Sequence, residues 1–141
     1  MELPEALEFV RSTHNGVLVT LKRDGRPQLS NISYAVTDGG VVRISITDGR
    51  AKTKNLRRDP RASLYVGRPD FSGYVVVEGT VELSAVSTAP GDAAGQELIE
   101  LFRQVQGKEH PDWDEYNAAM VSDRRLVARL HPERAYGFVM R

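Results

Sequence analysis

The chain is a succession of short β-forming runs, each closed by a glycine-bearing turn, and this punctuation limits the folds open to it. Gly16-Val17-Leu18-Val19-Thr20-Leu21 runs into Lys22-Arg23-Asp24-Gly25, and an Asp-Gly pair between two extended runs marks a hairpin. The next strand spans Pro27 to Ala35, Asp38-Gly39-Gly40 turns the chain again, and a third strand covers Val41 to Ile46. Further extended runs are Ala62 to Gly67, Tyr74 to Leu83, Leu126 to Leu130 and Ala135 to Met140, with Gly79 placed where a bulge would fall. Helical spacing is confined to Leu3, Ala6, Leu7 and Val10, to Ala51–Arg58 stopped by Asp59-Pro60, to Leu98, Leu101, Phe102 and Val105 within Ala93–Gln106, and to Asp114–Ser122. Arg68 to Gly73 reads as a loop and Ser84 to Ala94, rich in small residues, as a linker. Many short strands with a few helices predict a mainly β, α+β protein built on a closed or half-closed antiparallel barrel. A length of 141 residues predicts one domain over 1–141.

Charge and cysteine content narrow the function. Lys plus Arg total 19 and Asp plus Glu total 19, so the net charge is zero and no general attraction to nucleic acid or an anionic membrane is expected. The absence of cysteine removes disulfides, thiolate metal sites and thiol nucleophiles together. Met1 to Arg11 carries Glu2, Glu5 and Glu8 and lacks the basic start and apolar run of a signal peptide, which predicts a cytoplasmic location. No apolar stretch approaches the roughly 20 residues of a membrane span.

Against this neutral background one segment stands out. From Arg50 to Arg61, in Arg50-Ala51-Lys52-Thr53-Lys54-Asn55-Leu56-Arg57-Arg58-Asp59-Pro60-Arg61, there are six basic residues and one acidic. On a helix, Arg50, Lys54 and Arg57 or Arg58 share a face, and like charges four apart cost about 0.2–0.5 kcal/mol per pair. Several of these charges crowd a helix start that is already positive by its dipole. A solvated charged face is one reading. The other is an anion site, because free N–H groups with Lys and Arg beside them make a ready phosphate cradle. The strand Gln28-Leu29-Ser30-Asn31-Ile32-Ser33 is ambiguous in the same way. It fits an alternating barrel strand, yet short polar groups on both faces also suit a planar heteroaromatic ring with several hydrogen-bonding atoms.

Gly25-Arg26-Pro27-Gln28-Leu29-Ser30-Asn31, the run from Arg50 through Ser63, and the later Asp112-Trp113-Asp114, Ala119 to Arg125 and Tyr136-Gly137 together resemble the pyridoxamine 5′-phosphate oxidase-like superfamily. Within it they resemble the actinobacterial flavin- and deazaflavin-dependent oxidoreductases of the B class, over nearly the whole chain. The resemblance implies an FMN-binding-like split β-barrel homodimer with two cofactor sites at the subunit interface. It implies that Lys52 binds the cofactor phosphate with Arg50, Ala51 and Asn55 beside it, and that Lys54 reaches a longer anionic tail. It also implies that Gln28, Ser30 and Asn31 face the ring system and that Ser45, Ile46 and Thr47 line it from the third strand. Classical pyridoxamine phosphate oxidases carry an arginine where Ser30 aligns and end in Arg-Leu-X-Pro, whereas this chain ends Arg134-Ala135-Tyr136-Gly137-Phe138-Val139-Met140-Arg141. The basic run suits the polyanionic tail of coenzyme F420 better than FMN.

The expected activity is therefore hydride transfer from reduced F420 to an electron-poor small-molecule acceptor, with the redox chemistry supplied by the cofactor. An FMN oxidase or reductase and a non-catalytic F420 carrier are the alternatives. No side chain stands out as a general acid. His14, His110 and His131 lack a partner at motif spacing, which leaves no metal site in view, and Tyr34, Tyr65, Tyr74 and Tyr136 read as barrel residues.

Overall fold

A computed structural model describes every residue, Met1–Arg141. In chain order the elements are α1 (Leu3–Arg11), β1 (Asn15–Leu21), β2 (Pro27–Val36), β3 (Val42–Thr47), α2 (Ala51–Arg58), β4 (Arg61–Gly67), β5 (Gly73–Leu83), α3 (Ala93–Gln106), α4 (Trp113–Ser122) and β6 (Arg125–Val139). The six strands close an antiparallel barrel in the order β1-β2-β3-β6-β5-β4, so the expected α+β barrel is the fold the chain adopts. No helix is long and apolar enough to cross a membrane.

Local chemistry sets the turns. In the β1–β2 hairpin Gly25 lies at φ 85°, the left-handed conformation that glycine adopts without steric cost, and Lys22 N–H reaches Arg26 O at 2.9 Å. The β1–β2 register then follows, with Leu18 opposite Ser30 and Thr20 opposite Gln28. Alternation points Leu18, Leu64, Val75, Val77, Ile44, Ile46, Leu126 and Leu130 into the barrel, where none is more than 1% exposed. Tyr34 fills the end of this core, with its hydroxyl donating to Val10 O at 2.6 Å, which ties α1 across the barrel mouth.

Two departures from the sequence reading have physical causes. The extended runs at Leu126–Leu130 and Ala135–Met140 are one strand, β6, because the long β5 pairs with it from Gly73–Val139 to Leu83–Ala128. The register shifts between Glu78 and Gly79, so the extra residue is Glu133 on β6, beside Pro132, which has no N–H to pair. Gly79 is the partner of that bulge: a Cβ there would stand 2.1 Å from His131 O. Tyr74 and Tyr136 sit on barrel strands, as expected, with their side chains on the outer face at 38% and 50% exposure. The Ser84–Ala94 segment is irregular but pinned. Asp92 caps α3 by accepting from Gly95 N, and also accepts from the Ser87 hydroxyl and the Thr88 and Ala89 amides.

α3 and α4 stand outside the barrel against β2, β3 and β6. Arg43 of β3 and Arg129 of β6 hold α3 through Glu97, with Arg129 Nη2 at 2.5 Å and Arg43 Nη1 at 3.7 Å. Tyr116 of α4 donates to Leu98 O at 2.9 Å, which ties the two helices into one lobe.

Candidate functional site

The barrel gapes where β2 and β3 part. These strands share three residue pairs, Tyr34–Ile44, Ala35–Arg43 and Val36–Val42. Beyond them β2 is paired with β1 from Pro27 to Ser33, and β3 with β6 from Ser45 to Thr47. Into this gap the chain leaving β3 turns through Thr47–Arg50 and starts α2. The Thr53 hydroxyl donates back to Thr47 O at 2.6 Å, fixing the helix start against the strand end.

Two adjoining hollows open along the gap. One, of about 340 Å³, is lined by Gln28, Ser30, Ile46, Thr47, Arg50, Ala51, Lys52 and Arg125. The other, of about 390 Å³, runs between the barrel and the α3–α4 lobe; Asn31, Ser45 and Lys52 meet Leu101, Phe102, Tyr116 and Met120 there. Lys52 and Arg125 border both. Nine of the eleven residues expected at the site thus surround one divided cleft, polar and cationic at the α2 end and apolar under the lobe. The other two lie outside it. Lys54 is exposed on the outer side of α2, and Asn55 is buried beneath the helix with its amide donating to Thr20 at 3.2 Å.

The cationic end has no internal counter-charge. Of the basic run, Arg57 pairs with Asp48 at 2.7 Å and Arg61 with Asp59 at 2.8 Å, while Arg58 donates to Leu21 O. Arg50 and Lys52 make no ion pair, and the N-cap of α2 has no side-chain bond and no acidic residue in its first turn. The amides of Ala51 and Lys52 likewise find no acceptor in the chain. Burial, then the neighbouring Arg50 and Arg125 charges, hold the Lys52 ammonium pKa below the usual lysine value. The Nε of Arg125 is buried with no hydrogen-bond partner, and its Nη1 spends one proton on Ser45 O at 3.4 Å. Three cations facing one hollow beside two free helix amides fit a phosphate.

The apolar end suits a ring. Phe102 and Tyr116 line it, backed by Trp113 and His110 in an aromatic cluster of edge-to-face and tilted pairs at centroid distances of 5.2 to 5.7 Å. Burial pushes the Tyr116 hydroxyl up to about 12, so it stays protonated on the Leu98 carbonyl.

Arg125, Phe102, Tyr116 and Met120 escaped the sequence reading. Asp123-Arg124-Arg125 is a second basic pair far along the chain, and only the fold splits it. Arg124, at φ 56°, turns to Asp48 at 2.9 Å, while Arg125 enters the cleft by its β6 pairing opposite Thr47.

Residues 3–138 match the pyridoxamine 5′-phosphate oxidase family. Among solved structures, a conserved hypothetical protein of Mycobacterium tuberculosis is 25% identical, with a TM-score of 0.76 over 99% of this chain and 85% of its own. An F420 reductase is also 25% identical, with a TM-score of 0.67 over 92% of this chain and 94% of its own. A heme storage protein of Vibrio cholerae, at 18% identity and a TM-score of 0.67 over 99% of this chain and 95% of its own, shares the fold.

Proposed function

The chain belongs to the pyridoxamine 5′-phosphate oxidase family, and from that premise we propose that it binds a phosphorylated flavin-type cofactor, F420 in preference to FMN, and serves as an F420-dependent reductase of a small electron-poor acceptor. The observation that carries this is the uncompensated trio Arg50, Lys52 and Arg125 at one end of a cleft whose other end is apolar. Arg50, Lys52, Arg125 and the Ala51 and Lys52 amides hold the phosphate. Gln28, Ser30, Asn31, Ser45 and the β3 end at Ile46–Thr47 border the ring. Lys54, exposed one turn along α2, is free to meet a longer anionic tail, and the 25% identical F420 reductase supports the same preference.

When bound, such a cofactor supplies the hydride chemistry. The chain's own residues orient it, exclude water and fix charge. The α3–α4 lobe covers the ring end, and Glu97 ties it to β3 and β6. Tyr116, held protonated and bonded to Leu98, is a wall rather than a proton donor. That no carboxylic acid or histidine lines the cleft favours a second reading, cofactor carriage without turnover.

The working unit in this reading is a homodimer. Tyr65 and Tyr74 stack at 5.9 Å on the outer face of β4 and β5, and Tyr136 and Phe138 of β6 continue the patch at 50% and 60% exposure. An exposed aromatic face of this kind supports that reading.

Side-by-side fluorescence titration with F420 and FMN tests the cofactor, and turnover of reduced F420 with a panel of acceptors separates reductase from carrier. Micromolar or tighter F420 binding with weaker FMN binding is expected; binding of neither ligand would refute the proposal.

A further inference from the structure

Asn55 does not reach the cleft, yet a chain of hydrogen bonds connects it there. Arg58 donates to Asn55 Oδ1 from Nη1 at 3.4 Å and Nη2 at 3.5 Å. Asn55 Nδ2 donates to Thr20 Oγ1 at 3.2 Å, Thr20 donates to Gln28 Oε1 at 3.2 Å, and Gln28 Nε2 donates to Ser30 Oγ at 3.2 Å. Ser30 borders the hollow that holds Arg50, Lys52 and Arg125.

Donor and acceptor counting makes the direction one-way. A guanidinium has only donors, so the oxygen of Asn55 must face Arg58 and its NH₂ must face Thr20. Thr20 is 0% exposed. If Gln28 were flipped, Thr20 Oγ1 would accept from both amides and its buried hydrogen would be left without a partner, which is the costly arrangement. Thr20 therefore gives its hydrogen to Gln28 Oε1, Gln28 must then present its NH₂ to Ser30, and Ser30 Oγ is occupied as an acceptor. Its own hydrogen has no acceptor within the chain.

We infer that the relay Arg58→Asn55→Thr20→Gln28→Ser30 fixes Ser30 as a hydrogen-bond donor aimed into the cleft, so that the site selects a ligand edge bearing an acceptor there, a carbonyl oxygen or a ring nitrogen with a free lone pair. This rests on the reading of the cleft as a ring-binding site. Asn55 is a positioning residue for that bond, acting through three others without touching the ligand. An N–H edge turned toward Ser30 would meet a hydroxyl that has one lone pair already taken and its hydrogen pointing the wrong way.

Asn55→Asp reverses the relay. A carboxylate accepts from Arg58 and from Thr20, the hydrogen of Thr20 turns away from Gln28, the Gln28 amide flips, and Ser30 gives its hydrogen to Gln28 Oε1. The expected result is about a five- to tenfold weaker F420 affinity, the worth of one neutral hydrogen bond. Ser30→Ala should weaken it similarly, Ser30→Thr should restore it, and Asn55→Asp added to Ser30→Ala should cost less than a further twofold, because both remove the same bond. A purely structural role for Asn55 would make the two losses multiply, and that outcome would overturn the inference, as would an unchanged affinity in Asn55→Asp. The direction itself is read without ligand by neutron diffraction of the deuterium-exchanged wild-type protein. Deuterium on Ser30 Oγ pointing into the cleft supports the relay; deuterium lying between Ser30 Oγ and Gln28 Oε1, or between Thr20 and Asn55 Oδ1, overturns it. That map decides the inference if Asn55→Asp fails to fold, and equally if F420 does not bind at all, which would count against the cofactor assignment alone.

Discussion

Replacing Lys52 by methionine should move binding and stability in opposite directions. Methionine keeps the length and packing of the lysine stem and removes its charge. On the binding side the cofactor phosphate loses one charge-assisted hydrogen bond, about 1.5–3 kcal/mol, so the F420 Kd should rise roughly ten- to hundredfold. On the stability side Lys52 is a liability in the ligand-free protein. Burial first, then Arg50 and Arg125, depress its pKa, so the folded chain holds this proton less tightly than the unfolded chain. Between the depressed and the ordinary value of about 10.4 the unfolded state carries more protons, and stability rises with pH across that window. Below the window the charge is present in both states and costs stability in the folded one. The ligand-free variant should therefore melt at the wild-type temperature or above it. Calorimetry of the ligand-free protein and fluorescence titration with F420 read the two sides separately. In the wild type, affinity should fall as pH rises through the depressed pKa, below the range of an ordinary lysine, and the variant should lack that fall. An unchanged Kd, or a melting temperature lower by more than about 3–5 °C, the shift that roughly 1 kcal/mol makes in a domain of this size, would refute the reasoning.

Arg125→Met should weaken F420 binding about tenfold or more and flatten its salt dependence, because a partly desolvated guanidinium contact is lost; equal affinity at low and high salt in the wild type would argue against it. Tyr136→Glu should shift the protein to monomer in sedimentation, since it places a charge within the exposed aromatic patch, and an unaltered dimer would move the interface elsewhere. Gly79→Ala should destabilise by more than about 2 kcal/mol in urea unfolding without direct effect on the cleft, because the added carbon would stand 2.1 Å from His131 O across the bulge.

Much of the barrel was legible because its signals are local. Asp24-Gly25 and Asp38-Gly39-Gly40 specify turns by their own backbone preferences, and alternation along strands such as β3 and β4 says which side chains face inward. The helix boundary at Asp59-Pro60 is equally local, since a proline acts within a few residues, whereas the Asp92 cap of α3 showed only in the fold. The basic run was visible as an excess of charge over a neutral background. Its meaning was not, because the sequence cannot show which cations find a partner. Asp48 neutralises Arg57 and Arg124, Asp59 takes Arg61, and what remains facing the cleft is Arg50, Lys52 and a residue from β6.

The sequence by itself determined that this chain forms an antiparallel barrel with a cationic helix start after its third strand, because turn chemistry and period-two patterning act between neighbours. Only the tertiary structure decided that β2 and β3 part after three pairs, that Arg125 joins Lys52 in the opening, and that Asn55 acts from beneath through Thr20 and Gln28. Each of these depends on residues distant in the chain meeting at bonding distance, and pairing across a closed sheet is set by register and closure, quantities that no single stretch of sequence carries.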